Sequence, residues 1–199
     1  MQLARFLLGG MAMTRRIQDK LAAIVDEIDR TGHANQMRLT ALKKWLQQPK
    51  RLQRFALSLA ARAARVEDVA DGEDPCLLDL ARNLLGDWSL DAPAPDRVAA
   101  KILHGRLKAF QDEYKRLGWG RVRTIQSKRL LIIEMGLEVF LYDPAGPSEG
   151  YRLAVAFCEN YDSRYGTDLN GPSRDRVLEL LEIVDAVETQ ERSEPSLAA

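Results

Sequence analysis

The chain has 199 residues, 46% of them hydrophobic, and its 29 Lys and Arg balance 29 Asp and Glu to a formal net charge of zero. These are ordinary globular values that allow a sizeable core and one or two domains. They argue against a generic polyanion binder, and no apolar run approaches the ~20 residues that cross a bilayer as a helix.

The zero sum hides four blocks. Residues 14–65 carry 12 Lys and Arg against 4 Asp and Glu, residues 66–96 carry 1 against 9, residues 97–130 carry 10 against 2, and residues 131–199 carry 5 against 14. Blocks of opposite sign are expected to pack together and neutralise one another; the alternative is a local polyanion site on a basic block. The two cysteines, Cys76 and Cys158, lie far apart and form no motif. Without a disulfide framework or a convincing signal peptide, the expected compartment is a reducing cytoplasm.

Residues 1–13 include the apolar run Phe6 to Met13 and read as a frayed leader or an alternative start, with Met11 or Met13 as candidate beginnings. A signal peptide would have a clearer basic start, a longer apolar centre and a small-residue cleavage site. Thr14 to Arg30 reads as a helix with Ile17, Leu21, Ile24, Val25 and Ile28 on one face and Thr14 as cap. A second helix reaches about Gln47 and ends at Pro49; a third spans Lys50 to Arg65. Pro75 to Leu85 reads as a further short helix. Residues 14–90 are therefore expected to be a helical domain, and the Pro-containing stretch Ser89 to Asp96 the linker. Arg97 to Leu117 reads as the longest later helix, capped by Asp96.

From Arg129 onward the expectation changes to strands. Leu137 to Tyr142 and Tyr151 to Cys158 are short, rich in Val, Phe, Tyr and Leu, and separated by a loop with two prolines and two glycines. Such a pattern most simply forms an antiparallel hairpin. Leu130 to Met135 would add a third strand, with Gly136 at the bend, and Val122 to Gln126 a weaker fourth. The rival is a short buried helix over Lys128 to Leu141, because a continuous apolar run does not fix its period. A closing helix follows Pro172 and Ser173, with Val177, Leu180, Leu181, Val184 and Val187 as its stripe. The predicted fold class is α+β: a helical segment, then a small antiparallel β-meander flanked by helices over 96–188, then a disordered tail over 189–199.

Catalytic signatures are sparse. His33 and His104 are not at ligand spacing from another His or Cys, so no zinc site is predicted. Asp168-Leu169-Asn170-Gly171 resembles part of a calcium loop, but aligning on the glycine puts Gly166 at its first position and Val177 where the bidentate Glu belongs. No phosphate-cradling or nucleotide-binding glycine motif is present, and no cofactor is predicted. Cys158 is a candidate nucleophile if His104 serves as its base; buried cysteines are more often plain small hydrophobes. Glu134 with Glu138 and Glu159 with Asp162 are available carboxylate pairs, and acid–base work would require a pocket around them.

The remaining candidate is a recognition surface on the loop after Cys158: Asn160, Tyr161, Asp162, Arg164, Tyr165, Asp168 and Asn170. Tyr and Arg are the residue types that carry interface energy, and a loop fixed between two elements is a common setting for them. The chain is thus expected to be a non-catalytic interaction or adaptor protein whose partner is another protein, using this loop and an exposed helix face. The first alternative is a nucleic-acid-binding regulator using Lys43, Lys44, Lys50, Arg51 and Arg54 on basic helices, and Trp119 with Arg121 and Arg123 as a stacking and phosphate patch. The second is a small thiol enzyme built on Cys158.

Overall fold

The computed structural model describes residues 2–32, 39–66, 73–116, 128–142, 146–158 and 173–193. Within them the chain forms eight helices and no strand: α1 (Gln2–Thr31), α2 (Ala41–Trp45), α3 (Pro49–Arg65), α4 (Pro75–Leu85), α5 (Arg97–Arg116), α6 (Lys128–Tyr142), α7 (Pro147–Cys158) and α8 (Arg174–Ser193). The predicted β-meander is therefore corrected to a helical bundle. The proposed fourth strand, Val122 to Gln126, lies outside the described residues.

Local chemistry accounts for the correction. Leu130, Ile132, Ile133, Met135, Leu137, Val139, Phe140 and Leu141 are all buried on α6. A helix that is apolar nearly all round is a central one, and it shows no stripe from which a period can be read. Pro147, read from sequence as a hairpin breaker, is the first residue of α7. Proline fits there because the first turn has no intrahelical partner for an N–H. The buried residues of α7 are Gly150, Leu153, Ala154, Phe157 and Cys158, a helical spacing. A strand over the same stretch would put Leu153, Val155 and Phe157 on one face; the small Gly150 and Ala154, which decide the matter, carry little weight in a hydropathy pattern.

Other ends follow ordinary rules. Asp74 caps α4 by accepting from the backbone N–H groups of Cys76 and Leu77. Asp96 accepts from Ala99 N at 2.7 Å at the start of α5. Gly32 closes α1 at φ 79°, and its N–H donates to Ile28 O. That left-handed conformation suits glycine. α1 already runs through Thr14, the cap read from sequence, and α8 continues through Ser193 into the stretch read as a tail.

α3 and α6 form the centre. Leu52, Phe55, Ala56, Leu57, Leu59, Ala60, Ala61, Ala63 and Ala64 of α3 are buried, and α3 meets α4, α6, α7 and α8. Its alanines let neighbours approach closely. A Cβ on Gly136 of α6 would stand only 2.7 Å from Ala60 Cβ and 2.8 Å from Ala56 O. Gly136 is thus a contact point between two helices and not the bend expected from sequence. α5 lies on α6, and Arg97 Nη2 at the start of α5 donates to Leu141 O at the end of α6, so the two run antiparallel. α1 packs along α8. One apolar cluster draws residues from all eight helices.

Several ion pairs join the charge blocks. Arg51 donates to Glu191 through Nε and Nη2 at 2.7–2.9 Å. Arg62 lies 2.9 Å from Glu182 and 3.8 Å from Glu179. Arg129 and Glu73 form a doubly hydrogen-bonded pair with side chains only 2% exposed. No described helix is long and apolar enough to cross a membrane.

Candidate functional site

The predicted recognition loop, Asn160, Tyr161, Asp162, Arg164, Tyr165, Asp168 and Asn170, lies outside the described residues, as do Trp119, Arg121 and Arg123. The basic residues on α2 and α3 are placed. Lys43 Nζ sits 4.4 Å from the centre of the Tyr151 ring. Lys44 and Lys50 are exposed and Arg54 is half-buried. Arg51 is held by Glu191 and lies over the Trp45 ring. Cys158 is buried at the end of α7, where its carbonyl accepts from Ser173 N.

What the structure does bring together is a polar seam between α5 and α6. Glu134 and Glu138 are four residues apart on one helix, so both face the same side. His104 of α5 lies against them. Its side chain is 6% exposed, and Nε2 is 3.7 Å from Glu134 Oε1. That distance is too long for a hydrogen bond, and Nε2 is a buried atom with no hydrogen-bond partner. The His104 ring meets Tyr142 edge-on at 5.5 Å between centroids. Burial holds the imidazole below its ordinary value; Glu138 pulls the other way and Lys108 adds to the depression. Burial thus favours the neutral ring. Among the described residues, His104, Glu134 and Glu138 are the group of His, Cys, Asp and Glu whose donor atoms could share an ion: each offers an atom within 4.8 Å of the others.

Beside this group opens a cavity of about 210 Å³ between α5, α6 and α7, with Lys108, Asp112 and Arg152 among its lining residues together with both glutamates. Arg152 pairs with Glu149 at 2.9 Å. Gln111 Nε2 donates to Glu134 Oε2 at 3.4 Å.

The opposite, outward face of α5 has a different character. Val98 is 69% exposed and Ile102 55%, and Gly105 and Ala109 are exposed as well. Their 4–3–4 spacing puts them on one line. Lys101, Arg106 and Lys108 are exposed on the same helix. A Cβ at Gly105 would meet nothing within 4 Å, so the line is open.

Sequence reasoning had Glu134 and Glu138 as a carboxylate pair and had His104 only as a partner for Cys158. Reading 128–141 as strands concealed the connection, since i,i+4 residues share a face only on a helix. The outward stripe of α5 was legible from spacing once Ala100, Leu103 and Leu107 are assigned to the core.

No family model, no curated protein and no solved structure matches this chain.

Proposed function

We propose that the chain is a non-catalytic interaction protein that receives an amphipathic, acidic helix of another protein on the outward face of α5. The observation that carries this reading is the exposed line Val98, Ile102, Gly105 and Ala109. Two apolar side chains this exposed at i,i+4 are costly to leave in water and are anchors of the helix-in-groove type. The small residues after them allow a second backbone to come near. Lys101, Arg106 and Lys108 around the line favour a partner with acidic flanks.

The test uses the full chain and a fluorescent synthetic helix with leucines at 3–4 spacing and glutamates beside them. Anisotropy should report saturable binding, and Val98→Glu/Ile102→Glu should weaken it about tenfold or more, a loss of at least ~1.4 kcal/mol. Both side chains are exposed, so the urea midpoint should stay near wild type. Equal binding by wild type and variant would overturn the reading. So would tight, salt-sensitive binding of duplex DNA or single-stranded RNA that depends on Lys43, Lys44, Lys50 and Arg54, because phosphate contacts release counterions.

A further inference from the structure

We propose that His104, Glu134 and Glu138 form a binding site for one divalent first-row transition cation, with zinc as the representative ion. The inference does not rest on the helix-docking reading: its three ligands lie between α5 and α6 and not on the exposed line of α5, and Lys108 alone borders both. Three observations carry it.

The first is the donor set. One imidazole nitrogen and two carboxylates suit zinc and its neighbours, whereas magnesium and calcium favour all-oxygen shells. Two carboxylates also balance a dication's charge. The second is spacing. Ligands at ~2.0–2.2 Å in a tetrahedral shell stand roughly 3.4 Å apart; His104 Nε2 and Glu134 Oε1 are 3.7 Å apart. Glu138 is exposed on the next turn and can swing its carboxylate into the third position. The third is the orphan nitrogen. A buried polar atom without a partner is costly, and His104 Nε2 is such an atom, aimed at the carboxylates. A cation at this point turns that cost into a ligand bond.

The surroundings are those of a metal site. Gln111 donates to the Glu134 oxygen that is not beside His104, the outer support that orients a ligating carboxylate. The adjoining cavity provides an entry path and space for water in the fourth position. Lys108 and Arg152 on its wall are the opposing charges; Glu149 pairs with Arg152, and Asp112 on the same wall offsets Lys108.

The full chain, freed of metal with a chelator and dialysed, would be titrated with ZnCl2 and separately with MgCl2 by calorimetry. Cys76→Ser serves as the background throughout, because that exposed thiol can bind zinc by itself. The expected result is one zinc per chain, far weaker magnesium binding, and a melting temperature raised by roughly 5–10 °C at a hundredfold excess over Kd. Glu138→Gln, an isosteric change at an exposed position, should weaken zinc at least about tenfold with an unchanged apo melt; Glu134→Gln and His104→Ala should abolish it; Gln111→Ala should weaken it roughly 10–100-fold. Cobalt bound in place of zinc should show the visible absorption of a low-coordinate ion that disappears in Glu138→Gln. Zinc binding unaffected by Glu138→Gln and Glu134→Gln, or no zinc binding at all, would overturn the proposal.

Discussion

Gly136→Ala measures how closely α3 and α6 approach. A new Cβ would sit 2.7 Å from Ala60 Cβ and 2.8 Å from Ala56 O. Carbon atoms rest at ~3.5–4.0 Å, so the methyl would overlap Ala60 by about 1 Å. The second obstacle is a backbone carbonyl, which no rotamer change can move; the helices must part. Overpacking of this kind costs ~1–3 kcal/mol. Alanine in place of glycine inside a helix returns ~0.5–1 kcal/mol. The expected balance is a loss of about 1–2 kcal/mol. Gly105→Ala on α5 is the matched control, because its Cβ would meet nothing within 4 Å. Only propensity acts there, so that variant should gain ~0.5–1 kcal/mol. Urea melts followed by circular dichroism should move the two midpoints in opposite directions at equal m-value. For a chain of this size the thermal midpoints should differ by roughly 3–12 °C, at ~2–4 °C per kcal/mol. A Gly136→Ala protein as stable as wild type, or more so, would refute close packing of α3 on α6.

Two further predictions concern buried charge. Removing either partner of the Arg129–Glu73 pair strands the other in the core, so Arg129→Met or Glu73→Gln should each cost ~3–5 kcal/mol, while Arg129→Met/Glu73→Leu should recover most of it; double-mutant analysis of urea midpoints checks this, and additive losses would contradict it. Glu188 is buried, accepts from Trp45 Nε1 at 2.8 Å, and faces Gln18, Arg51, Arg192 and Asp185. Burial raises its carboxyl above the ordinary value despite the Trp45 bond and the two arginines. A raised carboxyl means that the folded state holds the proton longer than the unfolded state, so its contribution is full below the ordinary carboxyl value and is lost as pH rises through the folded one. Glu188→Gln keeps an acceptor for Trp45 without that loss. Its stability relative to wild type should therefore grow from pH 4 upward, by no more than ~1.4 kcal/mol per pH unit; a difference that is flat with pH would show that the burial of Glu188 is not felt.

The helices with ordinary punctuation were legible in the sequence. Pro75–Leu85 is read to the residue, with Gly86 marking its end; the Asp74 cap is seen only in the structure. Arg97–Arg116 is read from Asp96 and an amphipathic stripe, and α8 from Val177, Leu180, Val184 and Val187. Failure came where burial erases amphipathicity. Over residues 129–142 of α6 the residues left unburied are Leu131, Glu134, Glu138 and Tyr142. They recur every three to four positions, which is a helical period, but it is carried by a few unburied residues, Leu131 among them, and not by a polar–apolar contrast. The candidate metal site fell with that misreading, for its two carboxylates lie on the misassigned element and its histidine on another. Gly136 was visible as a glycine, but whether it bends a chain or admits a neighbouring helix depends on Ala56 and Ala60, some eighty positions earlier.

The pairing of α1 with α8 also sets an order of events during synthesis. Gln18 finds Asp185 across 167 positions, and Asp29 finds Arg174 across 145. A ribosome adds ~5–20 residues per second, so α1 waits roughly 10–30 s before α8 leaves the exit tunnel. Through that interval α1 lacks the helix it packs along. Completion of this pairing is thus tied to the synthesis of α8, and a nascent chain halted before Arg174 leaves that face of α1 uncovered.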